Sequence, residues 1–532
     1  MQLREVAALL DARLAPPASG AAAGIQELAA EVTDLAYDSR AVRPGALFFC
    51  LPGEVEDGHR WAGDAVRAGA VALVCERPLA AAVPQLLVAS ARQAMNLVAA
   101  PFFGHPSRQL ALAGITGTNG KTTIAYMLEA IFAAAGAATG LVGTVESRVQ
   151  GRHGMRAVKS RRTTPESVDL QRLLAGMVGE GVGYCAIEVT SIGLEQGRLA
   201  GAEFAAAGFT NLTQDHLDYH GDLESYYRSK RTLFSRGYLS GRDAFAAVNV
   251  ADRYGARLAA EVAGAVRTVT LGLAGDLADR QRGAPEPQVL GEVMEADAGG
   301  SRLRIRAGAG EVLATGMEQT VHVRLPGRFN AANGLTAAVM ARGLGLPPGA
   351  VAQGLEGLDR VPGRFELVEA GQDFAVVVDY AHTPDSLARV LAAARDLARP
   401  GGQPFTGGRL IAVFGAGGDR DRTKRPLMGQ AAAEAADRVY VTSDNPRSED
   451  PGAIMAGIEE GIAPAPPRLG YRLIADRAEA IAAAVGEARP GDVVVIAGKG
   501  HETTQSFAGE VVEFSDIEVA RSALGSLGSG RP

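Results

Sequence analysis

Runs of apolar residues alternate with polar, glycine-broken turns along most of this chain. The first stretch, to about residue 107, carries short apolar runs at GALFFCL, AVALVCE and QLLVA. Such runs, bounded by turns and separated by helical patterns, predict buried strands of an α/β layer. A second block runs from residue 108 to 355. It opens with LALAGITGTNGKTTIAYMLEAIFAAAG, an apolar strand that runs through a glycine loop into an amphipathic helix. Further strands are predicted at YCAIEVTS, AAAGFTNLT and DAFAAVNV, with helices between them, as parallel βαβ units require. SRLRIRAG and QTVHVRLPG instead alternate apolar and polar positions, the mark of antiparallel strands. AGDLADRQRGAPEPQ reads as a loop. The third block, 356 to 532, predicts strands at FAVVVDYA, RLIAVFGA, DRVYVTSD and DVVVIAGK, each ending in glycine, proline or a polar turn. That pattern describes a second doubly wound α/β domain, with ligand residues at the strands' carboxyl ends. RPGGQPFTGGR reads as a flexible surface loop.

Composition narrows the possibilities. At 532 residues, 47% hydrophobic and 21% charged, the chain fits a globular protein of about three domains. A net charge of -7 argues against broad nucleic-acid binding. Cys50, Cys75 and Cys185 form no CxxC, so neither a disulfide framework nor a zinc site is indicated. The N-terminus lacks the uninterrupted apolar core of a secretory signal, and no stretch reads as a membrane span. A reducing cytoplasmic setting follows.

Lysine is scarce: five of the 53 basic residues. Four of them, Lys121, Lys230, Lys424 and Lys499, fall in glycine- or histidine-rich strings. Lysine can shed its proton and arginine effectively cannot, so these positions are candidates for chemistry. Lys159, in KSRR, reads as part of a solvated basic patch.

Gly117, Thr118, Asn119, Gly120, Lys121 and Thr122 lie between the predicted strand and helix, the context of a phosphate loop. Backbone N–H groups and the helix N-terminus would receive phosphates. Lys121 would reach the β- and γ-phosphates, and the Thr122 hydroxyl would hold Mg2+. The string departs from GxxxxGK[ST], because position 115 is Ile. A glycine turn capping a helix is the plainer alternative.

GTNGKT, TNLTQDHLDYHG and DNPR occur in that order in this one chain. With YDSR near the start and GKGHE near the end, the chain resembles the Mur ligase family of peptidoglycan precursor synthesis. The resemblance covers nearly the whole sequence. It implies a uridine-nucleotide domain (1–107), a P-loop ATP domain with a parallel sheet (108–355) and a Rossmann-like amino-acid domain (356–532). It implies an ATP-dependent ligase that joins meso-diaminopimelate to UDP-N-acetylmuramoyl-L-alanyl-D-glutamate through an acyl phosphate, acting as a monomer on small molecules.

The resemblance also implies roles for residues. Glu188, His216 and Lys230 would hold metal, Lys230 as a CO2-derived carbamate. Ser39 would contact uridine, beside the loop Glu54-Val55-Glu56. Thr163, Thr164, Thr190, Gln196 and Arg198 would contact the muramoyl dipeptide. Asn330, Asn333, Arg364, Asp379 and His382 would surround ATP. Arg420, Asp444, Asn445, Pro446, Arg447, Gly498 and Glu502 would form the diaminopimelate pocket. A bidentate Arg447 suits a distal carboxylate that L-lysine lacks. Where the family commonly has Ser-Ser-His, this chain reads Thr190-Ser191-Ile192, and no role passes to Ile192. Taken singly, Glu188, His216, His220 and Lys230 read more readily as structural residues than as catalytic ones. Three alternatives stay open: the same ligase using L-lysine, a P-loop NTPase switch, and a non-catalytic nucleotide-binding scaffold.

Overall fold

The structure, a computed structural model, describes residues 1–15, 27–53, 56–278, 283–297, 299–308, 317–397, 408–464 and 470–528. Residues Glu54 and Val55, part of the expected loop 274–288, and most of RPGGQPFTGGR lie outside the described residues. The chain forms two compact units. The first comprises 1–112, 138–205 and 235–242, and the second 113–137, 206–234 and 243–532.

In the first unit, strands Arg13–Ala15, Gln85–Leu87, Ala72–Cys75, Ala46–Phe49 and Asp34–Ala36 form a five-stranded sheet in that order. All neighbours are parallel except the first pair. The unbroken apolar run in Ala46–Phe49 follows from burial on both faces: Leu47 and Phe49 pack on one side, Ala46 and Phe48 on the other. The same unit pairs Tyr184–Glu188 in parallel with Thr139–Val142, followed by an antiparallel hairpin, Glu146–Gly151 and Gly154–Lys159. That outer strand is exposed throughout, so ESRVQG and GMRAVK carry no apolar period that would signal the hairpin. Lys159 is solvent-exposed on it, as expected.

In the second unit, Ala111–Thr116, Ala206–Phe209, Phe245–Asn249, Arg267–Leu273 and Val289–Asp297 run parallel. Gly300–Ala307 and Met317–Val323 then extend the sheet antiparallel, as their alternating pattern predicts. A six-stranded sheet follows in the order Glu366–Leu367, Ala375–Asp379, Val493–Ala497, Leu410–Phe414, Arg438–Val441 and Gly470–Leu473. It is parallel apart from its first pair and has a separate apolar core on each face. Val493–Ala497 returns between strands laid down earlier. The carboxyl ends of neighbouring strands therefore gather Asp379, Gly498 and Asp444 at the crevice where such sheets bind ligands. Among the described residues, no helix is long and apolar enough to cross a membrane.

Candidate active site

The phosphate loop is held by its own geometry. Gly117 and Gly120 adopt φ of +144° and +91°. A Cβ at Gly117 would fall 1.9 Å from Thr210 Oγ1, and one at Gly120 would fall 2.4 Å from Asn333 Oδ1. Only glycine fits either position. The loop is tied to the end of the neighbouring strand. Thr118 N donates to Asn211 O (2.9 Å), Asn119 N to Asn211 Oδ1 (3.0 Å), and Thr210 Oγ1 to Asn119 O (2.7 Å). Lys121 opens the helix Lys121–Ala134 and folds its ammonium over the loop, donating to Gly117 O and Thr118 O at 2.9 and 2.8 Å. Thr122 Oγ1 accepts from Arg364 Nη2 at 3.0 Å.

Lys230 reaches the same loop from the helix Leu223–Arg231. It is 1% exposed, donates to Gly117 O at 2.9 Å and lies 4.5 Å from the centre of the Tyr226 ring. Burial, reinforced by the charge of Lys121, lowers its pKa well below that of an ordinary lysine, against the pull of Asp215. The QDH turn faces this corner. His216 takes φ of +54° and caps the short helix Leu217–His220. Its imidazole keeps 43% of its surface open. Even so, the surrounding protein, with Lys230, Lys121 and His382 opposing Asp215, pushes its pKa down to about 4. Burial would raise the neighbouring Asp215 carboxyl, but His216, His382, Lys424 and Lys121 together bring it to about 2. Lys424 thus belongs to this charged corner. Gln214 Nε2 also meets Asp421 Oδ2 and Thr423 Oγ1 of the segment before Lys424. His220 packs 5.1 Å from Tyr226, ring to ring.

Of the residues expected around ATP, Asn333 Nδ2 donates to Asn330 Oδ1, and Asn330 Nδ2 anchors to Pro326 O. Arg364 stacks 4.4 Å over Tyr380. Asp379 is turned toward backbone: its two oxygens accept from Phe365 N and Ala381 N at 2.6 and 2.7 Å. Burial raises its pKa, against Arg364 and those two N–H groups. His382 Nδ1 lies 2.7 Å from Tyr380 O, which fixes Nδ1 as the donor. Burial, with Lys424 beside it, lowers the pKa of its ring.

Glu188 and the five muramoyl-side residues lie in the first unit and form one hydrogen-bonded network. Glu188, 1% exposed, accepts from Thr144 N (2.7 Å) and Thr144 Oγ1 (2.9 Å). Thr163 Oγ1 is 3.1 Å from Thr144 Oγ1. Thr164 Oγ1 donates to Glu188 O and accepts from Thr190 N and Thr190 Oγ1, each near 3 Å. Thr190 caps the helix Ser191–Glu195, its side chain accepting from Gly193 N. Arg198 donates to Thr164 O (3.1 Å) and Gln196 Oε1 (2.7 Å). Ser39 begins a short 3-10 turn at the carboxyl end of Asp34–Ala36, behind an Asp38–Arg40 pair.

The expected amino-acid residues converge in the second unit. Gly498 follows its strand so closely that a Cβ there would lie 2.5 Å from Asp444 Oδ2. That oxygen is buried and has no hydrogen-bond partner among the described residues. Asn445 Nδ2 donates to Glu502 Oε2 at 2.9 Å. Pro446 is buried; Arg447 takes φ of +55° and donates to Gly418 O on the glycine loop that also carries the exposed Arg420.

Several supporting residues carry no motif. Thr144 orients Glu188. Glu166, buried, pairs with Arg198 and Arg92. Asp385 receives Asn119 Nδ2 at 3.0 Å. Arg477, fully buried, pairs with Asp516 and donates to Ser443 O and Ala497 O beneath the amino-acid loops. Each of these residues meets partners distant in sequence within its own unit, and only the fold brings them together.

The sequence matches three family models: "Mur ligase family, catalytic domain" over 31–116, "Mur ligase middle domain" over 115–341, and "Mur ligase, glutamate ligase domain" over 363–500. It is 43% identical over 506 residues to the UDP-N-acetylmuramoyl-L-alanyl-D-glutamate--2,6-diaminopimelate ligase of Geobacillus kaustophilus, covering 94% of this chain and 96% of the relative. It is 44% identical over 502 residues to the protein of the same name from Gloeobacter violaceus, covering 93% and 94%. A solved structure of a ligase with that name aligns at a TM-score of 0.60 and 31% identity, over 93% of this chain and 95% of the other. The phosphate loop, the buried lysine beside it and these matches along nearly the whole length place the chain in the Mur ligase family.

Proposed function

We propose that this protein is an ATP-dependent ligase that adds meso-diaminopimelate to UDP-N-acetylmuramoyl-L-alanyl-D-glutamate in peptidoglycan precursor synthesis, working as a cytoplasmic monomer. Regions 1–107, 108–355 and 356–532 serve uridine nucleotide, ATP and amino acid respectively. The observation that carries the reading is the buried Lys230 amine against Gly117 O of the phosphate loop. A simple nucleotide switch has no need of a proton-shedding lysine there. The names of the close relatives support the choice of substrates.

A carboxylate is a poor electrophile. One of its oxygens attacks the γ-phosphorus of ATP, the bond to ADP breaks, and an acyl phosphate forms. The amine of the incoming amino acid then adds to the acyl carbon, loses a proton, and phosphate departs. Backbone N–H groups of 117–122 and the start of the helix Lys121–Ala134 receive the phosphates. Lys121, now bonded to Gly117 O and Thr118 O, is within its own side-chain reach of them. Asn330, Asn333, Arg364, Asp379 and His382 shape the surrounding nucleotide pocket. Thr163, Thr164, Thr190, Gln196 and Arg198 position the acceptor dipeptide, and Ser39 meets the uridine.

These donor types suit a divalent cation, although among the described residues no three His, Cys, Asp or Glu side chains converge on one point. Within the second unit, Thr122 offers a hydroxyl and His216 an imidazole held neutral near pH 7; Glu188, in the first unit, offers a carboxylate. Lys230, its pKa lowered by burial and by the charge of Lys121, fits carbamylation by CO2, which would supply an oxygen donor. Mg2+, when bound, supplies positive charge against the repulsion of carboxylate and phosphate.

In the amino-acid pocket, Arg447 and Arg420 match the distal carboxylate of meso-diaminopimelate, Glu502 and Asp444 match its distal ammonium, and Asn445 holds Glu502 in place. Pro446 and Gly498 set the loop backbones. L-lysine would leave the guanidinium without its partner, a loss of about 1–3 kcal/mol. The test is an isotope experiment: acceptor carrying 18O in its reacting carboxylate should deliver one 18O atom to the released phosphate. Unlabelled phosphate would overturn the acyl-phosphate route.

A further inference from the structure

Lys499 lies in one of the site strings, and the reaction above does not use it. It is fully buried just after the strand Val493–Ala497. Its ammonium donates to Asn445 Oδ1 at 3.1 Å and to Glu502 Oε2 at 2.8 Å. Asn445 Oδ1 accepts a second bond from Ser506 N at 3.1 Å, so the amide cannot flip, and its Nδ2 donates to the same Glu502 oxygen. Glu502 is thereby held by one oxygen. Its Oε1 has no hydrogen-bond partner among the described residues, and the side chain keeps 30% of its surface open.

We propose that Lys499 is a positioning residue that sets amino-acid specificity through Glu502. The inference rests on the reading of this site as the diaminopimelate pocket. Two effects combine. The clamp leaves one carboxylate oxygen to meet an ammonium in a fixed direction. The buried positive charge also cancels most of the carboxylate's attraction for a bare cation. The far end of meso-diaminopimelate is zwitterionic: it brings an ammonium for Glu502 and a carboxylate for Arg447. The far end of L-lysine is a cation alone. A Glu502 without Lys499 would draw that cation strongly, and the pocket would no longer tell the two apart by charge. Lys499 works by weakening the wrong partner, the second half of any specific site.

The experiment compares wild type with Lys499→Met, using ATP, Mg2+, UDP-N-acetylmuramoyl-L-alanyl-D-glutamate and each amino acid separately. The ratio of kcat/KM for meso-diaminopimelate to kcat/KM for L-lysine is expected to fall about tenfold or more, with KM for ATP unchanged. A merely structural role would lower both efficiencies together and leave the ratio alone; an unchanged or higher ratio overturns the proposal. If Lys499→Met does not fold, Glu502→Gln is the second variant. It should lose about tenfold or more in kcat/KM for meso-diaminopimelate, and wild-type efficiency would overturn the proposal. A wild-type protein that ligates neither amino acid would instead refute the assignment of function itself.

Discussion

Replacing Arg477 with Met tests how the amino-acid loops are supported. Arg477 and Asp516 are both fully buried, joined by two hydrogen bonds of 2.7 and 2.8 Å. The same guanidinium donates to Ser443 O (3.2 Å) and Ala497 O (3.0 Å), the backbone just before Asp444 and Gly498. The substitution strands the Asp516 carboxylate in the core, and removing one partner of a buried pair costs about 3–5 kcal/mol. The two carbonyls lose a donor each, about 1 kcal/mol apiece and partly contained in that figure. A loss near 4 kcal/mol follows, localised to the six-stranded sheet. Hydrogen exchange of the Val493–Ala497 amides reads it directly, alongside urea unfolding. KM for the amino acid should rise while KM for ATP stays within twofold or so. The double variant Arg477→Met with Asp516→Leu should recover most of the stability, because removing both charges leaves no stranded ion. A single variant less than about 1 kcal/mol weaker, or a double variant no better than the single one, would refute this view of the pair.

Gly117→Ala places a methyl group 1.9 Å from Thr210 Oγ1 at a left-handed φ, so ATP binding measured by calorimetry should be lost while the six-stranded sheet keeps its exchange protection. Thr164→Val removes the hydroxyl that joins Glu188 O to Thr190. KM for the UDP-dipeptide should rise about fivefold or more, and an unchanged KM would contradict the network. Acid should weaken the fold. His216 titrates near 4 folded against 6.5 unfolded, so the unfolded chain binds the proton first and stability falls as pH drops from 6.5 toward 4. Asp215, held near 2 against 3.8, adds to the loss below pH 3.8. The urea midpoint should therefore fall from pH 7.5 to 4.5, and less so in His216→Gln; a midpoint that rises on acidification would contradict these environments.

The phosphate loop was legible because its glycines are demanded by backbone geometry: a φ of +144° with a neighbour at 1.9 Å admits nothing else. Strands such as Ala46–Phe49 and Val493–Ala497 were legible because burial on both faces enforces an unbroken apolar run. The exposed hairpin Glu146–Lys159 was not, since solvent on its side chains imposes no period. Within the site, DNPR and GKGHE marked the amino-acid loops, but Arg477 and Asp516 beneath them sit on helices whose sequence announces only amphipathic packing. Asp379 shows the limit from the other side. The resemblance puts this carboxylate near ATP, but no motif announces that both its oxygens accept backbone N–H groups, those of residues 365 and 381. Lys230 stood between a surface helix position and a buried base on sequence alone; its place beside Lys121 and Gly117 O depends on contacts more than a hundred residues apart.

The most direct test is the mass of the product. Purified protein given ATP, Mg2+, UDP-N-acetylmuramoyl-L-alanyl-D-glutamate and equal amounts of meso-diaminopimelate and L-lysine should yield the acceptor enlarged by one diaminopimelyl residue, with one ADP per bond formed. ATP consumed to ADP and phosphate with the acceptor mass unchanged would contradict the account.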